Sequence, residues 1–221
     1  ELYPYVASTA GRPWASLVWR GVEGRFIRRA DAVFTVSDAI ADHLARAYGI
    51  ARPAVLYNAP ARRHVAPSGR LRAEAGVDAA TVVVLHQGQM RPDRGCLRLV
   101  EAMPGVRGAV LVFLGDGPLG PALRARAAAL GVEDRVRFVG AVPPDALLPV
   151  TAGADVGVTL LEDTCLNHRY ALPNKLFEYL AAGLPVLGSD LPEVRRVVAG
   201  CDVGCVVDPS DPEALARVLQ R

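Results

Sequence analysis

Asn174, Lys175 and Glu178 lie close together in the sequence, at the predicted start of a helix. Pro173 suits the first turn, where its missing N–H would be unpaired anyway, and Gly183 suits the helix end. Free amides at a helix N-terminus, together with an ammonium group, form a site for an anion such as a diphosphate. Glu178, one turn further on, can accept hydrogen bonds from neighbouring hydroxyls, as a ribose offers. The alternative is a capped helix with a solvated Lys and Glu.

The apolar residues of this helix predict which of its faces is buried. Its apolar residues recur at helical spacing and indicate one face packed on a sheet: Leu172, Leu176, Phe177, Leu180 and Ala181. Lys175 is the only lysine among 25 basic residues. A single lysine among arginines indicates a role for a compact point charge. The arginine bias is of the kind that high-GC coding produces, and we expect a bacterial source.

The segment Pro173–Val186, PNKLFEYLAAGLPV, resembles the signature of the donor-binding domain of family 4 glycosyltransferases, which have the GT-B fold. The resemblance implies retaining, metal-independent transfer from a nucleotide-diphosphate sugar to an acceptor, with no cofactor. In that family one glutamate contacts the nucleotide ribose and an earlier one contacts the donor sugar. Glu178 matches the ribose glutamate, whereas Tyr170 stands where the sugar glutamate is expected.

The loop Gln87–Gly95 resembles the family segment in which two cations hold the donor diphosphate. Arg94 stands at the lysine position, Gln89 replaces the arginine, and Arg91 is a candidate to compensate. A glycine-rich loop that leads into a helix and carries an arginine next to the helix start suits the binding of phosphate. Gly88 would lie beside this phosphate. From the residues alone, a hinge loop with exposed arginines is the alternative.

The resemblance implies further donor contacts at later strand ends. Gly115 and Gly117 lie in a glycine turn beside the nucleotide, and Gly140 lies where the backbone reads the base edge. The implied donor-binding set is Gly88, Arg94, Gly115, Gly117, Gly140, Asn174, Lys175, Leu176 and Glu178. Arg94 and Lys175 are the implied catalytic cations, because positive charge stabilises the leaving diphosphate. No Asp-x-Asp stands at a strand end to hold a metal-bridged diphosphate.

Residues 70–221 are predicted to form the donor-binding domain, an α/β domain with a Rossmann-like doubly wound parallel sheet. The predicted strands are Val82–His86, Ala109–Leu114, Val136–Val139, Val156–Leu160, Val186–Gly188 and Val203–Val207. The predicted helices lie near 95–103, 119–130, 144–151, 173–183, 191–199 and 211–220. Asp190 and Glu193 predict a capping box at the fifth of them. In such a sheet the ligand binds at the carboxyl ends of the strands, near the switch in strand order.

Residues 1–58 predict a partial α/β segment, which the resemblance identifies as the end of the acceptor-binding domain. After an amphipathic helix in the first 29 residues come a strand at 32–36, a helix from Asp38 to Tyr48 capped by Ser37, and a strand at 54–57. The composition of 59–69 predicts a linker. Because the first residue is Glu1, we expect a fragment that is inactive alone. Its unpartnered apolar face predicts self-association through residues 1–58.

Composition excludes several classes of protein. The net charge of +2, with no long basic run, argues against nucleic-acid binding. The four cysteines lack Cys-x-x-Cys spacing and are expected to be reduced, largely buried thiols: Cys96, Cys165, Cys201 and Cys205. No apolar run is long enough to span a bilayer. We expect a cytoplasmic protein, with a peripheral position on the inner face of the membrane as the alternative for the full-length protein.

Two other functions stay open. Sugar-nucleotide 2-epimerases share this fold, and they need acid and base groups around the sugar. The candidates are Glu162, Asp163 and His168. A non-catalytic nucleotide-binding module is the other alternative, because Tyr170 and Gln89 depart from the family pattern. Neither the sugar, the base nor the acceptor follows from the sequence.

Overall fold

The computed structural model describes residues 2, 5, 12–61 and 64–220, so Arg62 and Arg63 of the predicted linker lie outside it. The N-terminal part forms a small unit of α1 (Pro13–Ile27), β1 (Phe34–Thr35), α2 (Asp38–Tyr48) and β2 (Ala54–Val55). β1 and β2 pair in parallel, as the predicted β-α-β unit requires, although both strands are shorter than predicted. Ser37 caps α2 by accepting a hydrogen bond from the Ile40 amide. Gly49 ends that helix with a left-handed backbone.

The two helices of this N-terminal unit differ in how they are packed. α2 buries Ile40, Leu44 and Tyr48, and Leu166 and Tyr170 from the later chain pack against the same cluster. In α1 the large apolar side chains are exposed: Trp14, Leu17, Val18, Trp19, Val22 and Phe26. The exposed apolar face expected of residues 1–58 is therefore present on α1.

Six parallel strands form the main sheet. They are β3 (Val82–Gln87), β4 (Ala109–Leu114), β5 (Val136–Val139), β6 (Val156–Thr159), β7 (Val186–Ser189) and β8 (Gly204–Val207). Their order is β5-β4-β3-β6-β7-β8, and all neighbouring pairs are parallel. The predicted Rossmann-like doubly wound sheet is confirmed. The strand order reverses between β3 and β6, which is where such sheets bind their ligands.

Helices cover both faces of this sheet. They are α3 (Arg70–Ala75), α4 (Cys96–Ala102), α5 (Gly120–Ala129), α6 (Pro144–Thr151), α7 (Leu166–Arg169), α8 (Asn174–Ala181), α9 (Pro192–Val198) and α10 (Pro212–Leu219). One apolar core lies under α4, α5 and α10, and a second lies under α3, α6, α8 and α9. With both faces covered, the strands are mostly apolar, as buried parallel strands usually are. None of the described helices is long and apolar enough to cross a bilayer.

The predicted capping box at α9 is wrong. α9 begins after Leu191 without any side-chain cap. The Asp190 carboxylate instead accepts a hydrogen bond of 2.5 Å from Nε of Arg195. Glu193, which is buried, accepts a hydrogen bond of 2.8 Å from the amide of Ala39. Its carboxylate thus caps the first turn of α2, because the N-terminal unit lies against α9.

The prediction of largely buried cysteines is also wrong in part. Cys96 is buried at the start of α4, and Cys165 is partly buried. Cys201 and Cys205 are exposed. Cys205 lies in β8, an edge strand of the sheet with a neighbour on one side only, and Cys201 lies three residues before that strand.

Candidate functional site

A cleft of about 640 Å³ opens at the carboxyl ends of β3, β4 and β5. Its floor includes Gln87 and Gly88 at the end of β3, and Gly115 after β4. Gly115 has a φ of 128°, and a Cβ at this position would lie 2.5 Å from the carbonyl oxygen of Gly88. Only glycine allows these two loops to approach so closely. The floor is therefore largely backbone, which leaves space above it for a ligand.

The walls of the cleft come from distant parts of the chain. One wall is the start of α8 with the segment before it, including Asn167 and His168. The N-terminal unit also lines the cleft, through three residues, Val36, Ile40 and Asn58. A ligand on the floor of the cleft would therefore face the N-terminal unit as well as the large sheet.

The start of α8 carries positive charge into the cleft. Lys175 and Arg94 both line it, and a Cβ on Gly88 would lie 3.7 Å from the Lys175 Nζ. α8 has no side-chain cap, so helix geometry leaves the amides of Asn174 and Lys175 without an intrahelical acceptor. In the described part of the chain, no carboxylate forms an ion pair with Arg94 or Lys175. This end of the cleft is thus positively charged, as an anion requires.

The ionisation of Lys175 reflects its surroundings. Burial lowers the pKa of Lys175 to about 8, and the nearby cation of Arg94 contributes in the same direction, whereas the carboxylate of Glu178 acts to raise it. Desolvation and like charge both disfavour an ammonium group. A bound anion would oppose both effects, because it would place a negative charge in direct contact with this lysine.

Glu178 lines the same cleft one helical turn after Lys175. Burial raises the pKa of its carboxyl, while a hydrogen bond from Gln87 and the charge of Lys175 lower it. The Gln87 Nε2 donates to Glu178 Oε2 at 2.5 Å. The other carboxylate oxygen, Oε1, has no hydrogen-bond partner among the described residues. This oxygen is available to accept hydrogen bonds from a ligand.

The structure brings together six of the nine implied donor-binding residues. The six that line the cleft are Gly88, Arg94, Gly115, Asn174, Lys175 and Glu178. Leu176 does not line it, because its side chain is fully buried in the core and its amide donates to the carbonyl oxygen of Pro173. Its spacing along α8 places it on the face that packs against the sheet.

Gly117 and Gly140 also lie outside the lining of the cleft. A Cβ on Gly117 would lie 2.3 Å from the carbonyl oxygen of Met90. This glycine therefore serves the packing of its turn against the loop after β3. Gly140 has open space around it. The two residues that follow it, Ala141 and Val142, line the cleft in its place.

The departures from the family pattern have visible consequences. Gln89 and Arg91 are exposed and do not line the cleft, so Arg91 does not take the place of the missing arginine there. Tyr170 packs against the N-terminal unit, and its carbonyl oxygen accepts a hydrogen bond of 2.8 Å from the Ser37 hydroxyl. His168 lines the cleft instead, with its Nδ1 3.0 Å from the Thr164 hydroxyl oxygen.

Sequence reasoning missed the residues that support the site from below. Tyr179 is fully buried under the sheet, and its hydroxyl accepts a hydrogen bond of 2.9 Å from the amide of Gln87. That hydroxyl also lies 3.2 Å and 3.1 Å from the carbonyl oxygens of Leu85 and Val158. Gly157 makes room for the ring, since a Cβ there would lie 2.3 Å from Cγ of Tyr179. The signal for Gln87 was its polar side chain at the end of an apolar strand.

The fold and the cleft together define a Rossmann-like domain with a positively charged cleft at the carboxyl ends of its strands. The family model of the group 1 glycosyl transferases matches residues 81–221. The chain belongs to this family, and the expected membership of the GT-B family 4 glycosyltransferases is confirmed. A curated relative, the 2-deoxystreptamine N-acetyl-D-glucosaminyltransferase of Streptomyces fradiae, is 30% identical over 202 residues. The match covers 86% of this chain and 47% of the relative, so the chain spans about half the length of that enzyme.

Solved structures share the fold. The sucrose-phosphate synthase of Thermosynechococcus elongatus superimposes with a TM-score of 0.75 at 24% identity, over 91% of this chain and 51% of that chain. HepE of Anabaena, solved in complex with UDP, gives a TM-score of 0.71 at 23% identity, over 93% of this chain and 56% of that chain. Both likenesses extend across the N-terminal unit and the main sheet.

Proposed function

We propose that this chain is the donor-binding part of a retaining, metal-independent glycosyltransferase that uses a nucleotide-diphosphate sugar. The observation that carries the proposal is the meeting of Arg94, Lys175 and Glu178 in one cleft at the strand ends. Two cations without carboxylate partners fit a diphosphate, and a carboxylate beside them fits the hydroxyls of a ribose. The likeness to HepE, which was solved with UDP, supports a nucleoside diphosphate as the ligand.

In the proposed reaction the bond between the anomeric carbon and the diphosphate oxygen breaks, and negative charge develops on the leaving diphosphate. Arg94, Lys175 and the amides at the start of α8 act where this charge develops, and so they stabilise the leaving group. Because these groups supply the positive charge, we propose that no divalent metal is needed. Retention of the anomeric configuration is proposed from the family resemblance.

The residues that could supply acid and base groups to an epimerase do not meet in the cleft as Arg94, Lys175 and Glu178 do. Of Glu162, Asp163 and His168, one residue, His168, lines the cleft. Asp163 forms an exposed ion pair of 2.7 Å with Arg169. Because epimerisation needs acid and base groups at the sugar, this arrangement favours transfer.

We further propose that residues 1–58 belong to an acceptor-binding domain, that 59–69 form a linker to the donor-binding domain of 70–221, and that the protein acts in the cytoplasm.

Two measurements test the proposed function. Calorimetric titration with UDP and GDP, with and without excess chelator, is expected to show binding of at least one that the chelator does not change. Failure of both to bind in chelator would overturn the metal-independent site. Incubation of the full-length protein with UDP-glucose and UDP-N-acetylglucosamine, with and without acceptor alcohols, separates the alternatives. Transfer with retained configuration supports the proposal, whereas a changed sugar without acceptor indicates an epimerase and binding alone indicates a non-catalytic module.

A further inference from the structure

A row of three hydrogen-bonded side chains leads from the core to the cleft. Thr151 and Gln87 are buried, and Glu178 stands at the cleft end of the row. The Thr151 hydroxyl donates to Oε1 of Gln87, and the Gln87 Nε2 donates to Oε2 of Glu178 at 2.5 Å. A buried amide is costly unless both of its ends are hydrogen-bonded. Both ends are satisfied here, so the row holds the Glu178 carboxylate in one orientation.

The ionised Glu178 carboxylate determines which end of Gln87 faces it, because a carboxylate only accepts hydrogen bonds and the amide NH₂ group is the end that donates. The amide oxygen then faces the Thr151 hydroxyl. That hydroxyl has one hydrogen, which it shares between this amide oxygen and the carbonyl oxygen of Leu147, 2.8 Å from the hydroxyl oxygen. The reverse orientation would bring an amide oxygen against an ionised carboxylate, two acceptors with no hydrogen between them. One carboxylate oxygen is therefore held, and the other is left for the ligand.

Resting on the proposed function, we infer that Gln87 and Thr151 are positioning residues that make this site select ribonucleotides over 2′-deoxyribonucleotides. The held carboxylate accepts hydrogen bonds from the ribose hydroxyls in one geometry. A 2′-deoxyribose would leave this partly buried acceptor short of one hydrogen bond, and an unpaired group of this kind weakens binding markedly. A Glu178 that turned freely would pair with the remaining hydroxyl or with water, and the selectivity would fall.

The test compares UDP with 2′-deoxy-UDP, or GDP with 2′-deoxy-GDP if GDP binds more tightly. The wild-type chain is expected to prefer the ribonucleotide by about 10-fold or more. Gln87→Met keeps the length of the side chain and removes its hydrogen bonds, and it is expected to bring the preference below about threefold. Thr151→Val is expected to lower the preference in the same direction, whereas Thr151→Ser keeps the hydroxyl and the preference. Gln89→Met changes an exposed glutamine on the same loop and serves as the matched control.

Binding of inorganic diphosphate and the melting temperature check that each variant is folded, since neither depends on the ribose. Glu178→Gln is the benchmark for the loss of preference. If Glu178→Gln loses the preference while Gln87→Met and Thr151→Val keep it, the inference is overturned and the proposed function stands. If the wild-type chain binds the ribonucleotide and the 2′-deoxyribonucleotide equally, the assignment of Glu178 to the ribose fails together with the inference. A merely structural role of Gln87 would weaken both nucleotides equally and leave their ratio unchanged, which also overturns the inference.

Discussion

Replacing Lys175 by alanine is expected to weaken the binding of UDP by about 1.5–3 kcal/mol, because a charge-assisted hydrogen bond contributes about that much. The ammonium lies next to the floor of the cleft, 3.7 Å from the position of a Cβ on Gly88, and no carboxylate pairs with it in the described part of the chain. Its loss therefore removes attraction for the diphosphate without releasing a partner. Uridine, which carries no phosphate, is expected to bind the variant nearly as well as the wild-type chain.

The same lysine predicts a pH dependence with a definite sign. Burial lowers the pKa of Lys175 to about 8 in the free cleft, and a bound diphosphate raises it again because the two groups have opposite charge. UDP affinity is therefore full near pH 7 and falls as the pH rises through 8, by about 10-fold at pH 9. The diphosphate does not titrate in this window, since the second pKa of a phosphate is about 6.

Calorimetric titration from pH 7 to 9, with chelator present, measures both effects. Lys175→Arg is the matched control, because arginine stays protonated throughout and its affinity for UDP is expected to be flat across the window. Lys175→Ala is expected to be weak and equally flat. The reasoning is refuted if Lys175→Ala loses as much affinity for uridine as for UDP, or if Lys175→Arg follows the wild-type profile. Equal melting temperatures of the three proteins exclude a general loss of folding.

The remaining predictions concern the ribose end of the cleft, its support and the N-terminal helix. Glu178→Ala is expected to weaken uridine and UDP alike and to leave the binding of inorganic diphosphate unchanged in calorimetry, and a selective loss of diphosphate would contradict this. Gly157→Ala forces a methyl group into the ring of the buried tyrosine of α8, and it is expected to lower the free energy of unfolding by about 1–3 kcal/mol in urea. Gly140→Ala meets open space and is expected to change the free energy of unfolding by less than about 0.5 kcal/mol. Equal effects of these two substitutions would refute the packing argument. Trp14 and Phe26, which are 68% and 64% exposed, are expected to drive self-association. Sedimentation at high concentration should show a dimer or larger species that a Trp14→Asp, Phe26→Asp variant does not form, and a monomeric wild-type profile would rule it out.

The order of the strands of the main sheet and of six of its eight helices could be predicted because it depends on local patterns, whereas the short helices α3 and α7 were not predicted. Each strand is a short apolar run, each helix shows its own apolar spacing, and glycine or proline separates them. The predicted strand ends differ from the observed ones by at most one residue. The hydrogen-bond partners of side chains were predicted poorly where several groups could pair with the same side chain. Asp190 and Glu193 have the spacing of a capping box, yet Arg195 and the amide of Ala39 are the partners that the fold brings to them.

For the site residues too, features set by neighbours in the sequence could be predicted, and features set by distant parts of the chain could not. The sequence by itself determined that a helix begins at Asn174 with Lys175 and Glu178 in its first turns, since proline, spacing and capping act over a few residues. Which glycine turns reach the cleft was decided by the tertiary structure, which places Gly115 against Gly88 and turns Gly117 away.

Only the tertiary structure decided how the carboxylate of Glu178 is held. Its hydrogen bond to Gln87 joins residues 91 positions apart, and the bond from Gln87 to Thr151 joins residues 64 apart. The N-terminal unit lines the cleft and is held there by contacts of the same long range, such as that of Ala39 with Glu193, 154 positions away. Residues so distant in the chain have no periodicity or spacing that relates them. They meet because the parallel strands bring their carboxyl ends, and the helices that follow them, to one edge of the sheet.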